Sequence, residues 1–118
     1  MEYNSDFRYD LKVGQTGEEL LGKILNDSTI EVKKDLKAHV TGNIFIEYES
    51  RGKASGIAKS EAYFYAFIIN NDRIIMIDTC QLKKLCRPYY GTKRDKKGGD
   101  NNSSKGILLP VKDLISFK

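Results

Sequence analysis

Histidine and cysteine are scarce in this chain: His39 is its one histidine, and Cys80 and Cys86 are its two cysteines. Two cysteines make no disulfide framework, and theirs is not the C-x-x-C spacing that zinc sites use. They read as plain buried thiols in a reducing compartment. One histidine argues against chemistry that needs a histidine pair or a histidine-activated nucleophile. An enzyme of this composition would run on carboxylates, lysines and a hard cation. Long apolar runs are missing too. The longest, around Tyr63 to Ile69, falls far short of the ~20 residues that span a bilayer. Met1 to Asp6 shows no basic stretch leading into an apolar core, so no signal peptide is expected. The expectation is a chain without membrane attachment, working in the cytoplasm.

What is present is an ordinary globular mixture. Hydrophobic residues are 40% and charged residues 31% of 118 residues, which argues against disorder and fits one domain over residues 1–118. Net charge is +4 and unevenly spread. Residues 1–49 hold six Lys/Arg against ten Asp/Glu, whereas residues 50–118 hold fourteen against six. An acidic half followed by a basic half suits a carboxylate metal site beside a polyanion-binding surface, although lysine-rich surfaces also serve solubility alone.

Along the chain, alternating Phe7, Tyr9, Leu11 and Val13 suggest an edge strand or ordered arm over residues 1–15. Thr16 with Glu19 three residues later has the form of a capping box, and Leu20, Leu21, Ile24 and Leu25 follow at helical spacing. A helix is therefore expected from Thr16 to Asn26-Asp27, with Glu18 on the edge of its apolar stripe. Residues 29–35 alternate as a strand with Glu31, Lys33 and Asp35 on one face. Residues 36–42 read as a connection, and 43–49 as a second strand with Glu47 and Glu49 on one face. If the two strands pair as an antiparallel hairpin, Glu31 and Lys33 lie across from Glu49 and Glu47, and several acids converge.

Beyond that, Ser50 to Gly56 reads as a glycine-bearing loop with Arg51, Lys53 and Ser55. Tyr63–Ile69 and Arg73–Thr79 read as a hairpin turning at Asn70-Asn71-Asp72. Thr79 is expected to cap a helix over Gln81–Arg87, stopped by Pro88. Residues 91–106, with Lys93, Arg94, Lys96 and Lys97, read as a flexible basic loop. Ile107 to Val111 read as a final edge strand, because Pro110 disfavours a central place. Helices and strands in this order give an α+β or mixed α/β fold.

A carboxylate and a lysine two apart on one strand face can serve a hard cation and an attacking water. Glu31-Val32-Lys33, with a preceding helix bearing Glu18, resembles the PD-(D/E)xK, or restriction-endonuclease-like, nuclease superfamily. The wider pieces Thr41-Gly42-Asn43 and Arg51-Gly52-Lys53-Ala54-Ser55-Gly56 are similar to its small phage-type members. The resemblance spans roughly residues 10–80. It implies a central mixed β-sheet flanked by helices, and a Mg²⁺- or Mn²⁺-dependent DNA endonuclease; a single small domain leaves little surface for sequence readout, which favours structure-selective cleavage, of junctions or branched DNA, or non-specific cleavage. Glu31 would be the metal-binding acid, Lys33 the motif lysine and Glu18 the helix glutamate. For the remaining acid two layouts stay open: Asp27 serves from the strand's entry, or Glu31 takes the aspartate's place and Glu47 completes the site. Arg51, Lys53, Ser55, Lys93, Arg94, Lys96 and Lys97 would contact phosphates. By the same resemblance the chain would pair as a homodimer in the cytoplasm of a phage-infected cell. The alternative is a non-catalytic nucleic-acid-binding module that keeps the nuclease fold.

Overall fold

A computed structural model describes residues 7–27 and 29–116 of the chain. In order they form α1 (Phe7–Asp27), β1 (Ile30–Asp35), α2 (Ala38–Thr41), β2 (Asn43–Ser50), β3 (Lys53–Ala54), a 3₁₀ turn (Gly56–Ala58), β4 (Phe64–Ile69) and β5 (Arg73–Asp78). There follow α3 (Thr79–Cys86), a 3₁₀ turn (Arg87–Tyr89), β6 (Asp95–Gly98), a 3₁₀ turn (Asp100–Asn102), β7 (Ser104–Pro110) and α4 (Val111–Leu114). The architecture is mixed α and β. Its strands form two sheets, β1-β4-β5 and β3-β2-β7-β6, instead of the one central sheet that the resemblance implies. Among the described residues no helix is long and apolar enough to cross a membrane.

The first helix begins at Phe7, so the strand or arm expected over residues 1–15 is corrected where it is described. No proline interrupts residues 7–27, and Gly14, Gly17 and Gly22 each weaken a helix by only about 1 kcal/mol relative to alanine. The Thr16–Glu19 pair therefore lies inside α1, not at its start. The expected end at Asp27 holds. Leu20, Leu21 and Leu25 are exposed, so the stripe they form is not part of the core.

β1 pairs with β4 in parallel, Glu31 beside Tyr65 and Lys33 beside Phe67. The expected β1–β2 hairpin does not form. Asp35 Oδ1 accepts the backbone N–H groups of Lys37 (2.8 Å) and Ala38 (2.9 Å). This turn leads into α2, whose N-cap is Lys37, and Gly42 ends it in the left-handed region at φ 73°. The connection is thus a helical turn that carries β2 into the other sheet, while β1 takes its ladder from the apolar β4. The hairpin of β4 and β5 does form. Its three-residue turn, Asn70-Asn71-Asp72, holds Asn70 (φ 52°) and Asn71 (φ 60°) in a conformation that asparagine tolerates.

In the second sheet β7 is central, between β2 and β6. Pro110 is compatible with that place because it is the last residue of the strand. Residues 91–106 are likewise not a free loop. They supply β6 and the start of β7, and Arg94 fastens them: its Nη1 donates to Asn43 Oδ1 (2.8 Å) and to the Leu108 carbonyl (2.9 Å). Tyr65, Phe67 and Ile69 of the first sheet share one core with Ile44, Ile46, Ile107 and Leu109 of the second, and with Leu82 and Cys86 of α3. The cap of α3 is Asp78, one residue before the expected Thr79; its Oδ1 accepts from the N–H groups of Cys80 and Gln81. Of the two thiols only Cys86 is buried, and Cys80 is exposed.

Candidate functional site

Parallel pairing sets Glu31, Lys33 and Asp35 on the same face as the buried Tyr65, Phe67 and Ile69. Because β1 is an edge strand, Glu31 and Lys33 stand at the rim of that face. Lys33 Nζ lies 3.4 Å from Glu31 Oε1, both side chains being about half exposed (52% and 45%). An ion pair so exposed adds under ~1 kcal/mol to stability, so folding gives it no strong reason to exist.

The second acid comes from the other sheet. Between β2 and β7 the register shifts after Glu47, so that Glu47 pairs with Gly106 and Glu49 with Lys105. Adjacent residues of β7 face opposite ways, so this bulge sends Glu47 and Glu49 to opposite faces, correcting their expected common side. Glu49 pairs with Lys105 Nζ at 3.5 Å. Glu47 instead turns toward the segment after β3, where Ser55 Oγ donates to its Oε2 at 2.6 Å. Hydrogen bonds from Ser55 and then Ser104 hold the Glu47 carboxyl below the usual carboxylate range; burial opposes them, and the Lys33 charge adds to them. Gly56 makes the approach possible. A Cβ there would stand 2.2 Å from the Glu47 carbonyl oxygen, and its φ of 51° belongs to the region glycine favours.

Lys33 and Glu47 thus meet at a cavity of about 230 Å³, walled by Phe45, Ile57, Tyr65 and Phe67. Beyond Gly56 a wider hollow of about 540 Å³ runs past Glu31, Lys59, Glu61 and Tyr63. The Tyr65 hydroxyl is buried without a hydrogen-bond partner, a condition that costs about 1–3 kcal/mol.

The other expected site residues are scattered. Glu18 is exposed on α1 and is not turned inward against the core. The Asp27 side chain lies outside the described residues. Among those described, no three His, Cys, Asp or Glu side chains gather in one place, so the expected convergence of acids is not formed there; Lys33 pairs with Glu31, and its charge acts on Glu47. Arg51 and Lys53 are exposed at the β2–β3 turn. Lys93, Lys96 and Lys97 are exposed as well. Arg94 is occupied by its two hydrogen bonds, and its guanidinium sits 5.7 Å from the centre of the Tyr89 ring. Ser55 is engaged with Glu47.

Sequence reasoning overlooked Tyr65, Phe67, Phe45 and Ser104. Alternation within β4 could have placed Tyr65 and Phe67 on one face, but only the parallel ladder puts them under Glu31 and Lys33. Compared with family models, with curated proteins and with solved structures, the sequence and fold of this chain have no match.

Proposed function

We propose that the chain is a metal-dependent DNA endonuclease whose reaction takes place at the mouth of the Lys33–Glu47 cavity. One observation carries the reading: Lys33 pairs with Glu31 on its own strand at 3.4 Å and lines one cavity with Glu47 from the other sheet, whose carboxyl its charge helps to keep ionised. Mg²⁺ and Mn²⁺ suit this donor set, because such an ion takes one or two carboxylates and fills its other positions with water and substrate phosphate. Glu47, kept ionised by Ser55 and Ser104, and the half-exposed Glu31 would hold it. The bound ion would supply a polarised phosphoryl oxygen and a water of lowered pKa. Lys33 offsets negative charge that builds on the phosphoryl oxygens during attack. Arg51, Lys53, Lys93, Lys96 and Lys97 bind flanking phosphates without reading sequence, so affinity falls steeply with salt.

The same reading has the chain working on branched DNA in the cytoplasm, as a homodimer able to address two strands. The exposed stripe of α1 offers such a dimer an apolar surface. A second reading, a DNA-binding module without catalysis, draws on the lack, among the described residues, of any cluster of three His, Cys, Asp or Glu side chains.

The test is incubation of wild type and Lys33→Ala with supercoiled plasmid and a four-way junction, in about 10 mM Mg²⁺ or Mn²⁺ or in EDTA. Cutting that needs the metal and disappears in Lys33→Ala supports the nuclease. Binding without cutting by wild type favours the module.

A further inference from the structure

The first sheet is apolar on both faces. Every residue of β4, Phe64 to Ile69, is aliphatic or aromatic, the pattern of a strand covered on both sides. Its ladder to β1 is parallel, an arrangement that proteins rarely leave open to water. Tyr65, Phe67 and Ile69 point into the core. Alternation turns Phe64, Ala66 and Ile68 outward, in register with Val32 of β1 and with Ile74 and Met76 of β5. On this outer face Val32 is 58% and Ile74 67% exposed.

α1 carries a matching surface. Leu20, Leu21 and Leu25 are each more than half exposed, and with Ile24 they line one side of the helix. No described residue of α1 belongs to the shared core. Residues 14–26 run about 20 Å as a helix, and a six-residue strand is also about 20 Å long. Stripe and sheet face therefore match in length. Glu18 borders the stripe and Lys34 the sheet face, both exposed and opposite in charge. Within one chain the two surfaces stay apart. Only residues 28 and 29 join α1 to β1, and the Thr29 carbonyl is fastened by the N–H groups of Tyr63 (3.0 Å) and Phe64 (3.2 Å). An apolar helix stripe and an apolar sheet face each need another layer to cover them, and a second copy of the chain brings both.

We propose that two copies of this chain pair about a two-fold axis, the Leu20–Leu25 stripe of each lying on the outer β1-β4-β5 face of the other. The symmetry makes the contact twice, so each copy buries one helix stripe and one sheet face. The inference rests on the homodimer of the proposed function and gives it a surface; it needs none of the nuclease chemistry.

The test is sedimentation velocity of the full chain at about 100 μM, well above a micromolar Kd. Wild type is expected at twice the chain mass of 13.4 kDa. Leu21→Glu spoils the helix side and Ile74→Glu the sheet side, each at an exposed position outside the core. Each variant alone is expected to sediment as a monomer. Mixed in equal amounts they are expected to form a dimer again, because the Ile74→Glu chain offers an intact helix to the intact sheet of the Leu21→Glu chain. That rescue also shows both variants to be folded. A dimer of Ile74→Glu alone would mean that helix pairs with helix, and a dimer of Leu21→Glu alone that sheet pairs with sheet. Either result overturns the proposed seating and leaves the homodimer, and two monomeric variants that stay apart when mixed overturn the seating too. A monomeric wild type overturns seating and homodimer together, while metal-dependent cutting of DNA by that monomer would leave the nuclease reading standing.

Discussion

Ser55 and Ser104 fix the charge of Glu47 before any ligand arrives. Because its folded pKa lies below its unfolded one, Glu47 contributes stability at pH above the ordinary carboxylate range. That contribution is lost as pH falls through the depressed value. Ser55→Ala removes the largest cause, so the Glu47 carboxyl is expected to titrate closer to the ordinary range and the acid limb of the stability curve to flatten. Carboxyl chemical shifts followed against pH check this. The two cysteines differ as sharply. Burial pushes the Cys86 thiol up to about 12, whereas Cys80 is exposed. A thiol reagent at neutral pH is expected to modify one group rapidly and the second only when the chain unfolds, since the thiolate is the reactive form. Both cysteines look alike in sequence, because burial of Cys86 depends on β7 packing against α3.

Elements show where local sequence suffices and where it does not. The β4–β5 hairpin was legible because its turn is written in consecutive asparagines whose conformation suits the turn. The separation of β1 from β2 was not legible, since a parallel ladder between residues 30–35 and 64–69 depends on contacts far apart in the chain. The bulge at Glu47 is set by the Ser55–Gly56 approach and has no marker inside β2 itself. In sequence Lys93, Arg94, Lys96 and Lys97 look like one basic loop over residues 91–106, yet they divide by role. Arg94 fastens β6 to β2 and β7, so Arg94→Ala is expected to lower unfolding stability by about 1–3 kcal/mol in denaturant melts. Lys96 and Lys97 are exposed on β6. Their replacement by alanine is expected to leave stability within about 0.5 kcal/mol and to reduce the salt slope of DNA binding by about 1 per residue.

At the scale of the molecule the described chain is elongated, 59 × 30 × 27 Å with a radius of gyration of 17.4 Å. A compact chain of this length would have a radius of gyration of roughly 13–14 Å. The mixed α and β class was legible from the order of helical and alternating patterns, and the Glu31–Lys33 pair from their spacing on one strand; Lys33 near Glu47 was expected only through a hairpin that does not form. The division into two sheets was not legible, because it follows from long-range pairing. Lys33 and Glu47 consequently line one cavity from different sheets, not from the two strands of a hairpin. In the proposed function Glu31 and Glu47 act together on one ion. Mn²⁺ titration followed through backbone amide resonances measures this directly, because a bound paramagnetic ion broadens signals near it. Broadening confined at first to Glu31, Lys33, Glu47 and Ser55, and abolished by Glu31→Gln, is the expected result. Broadening centred on other acids, or the same pattern in Glu31→Gln, would contradict it.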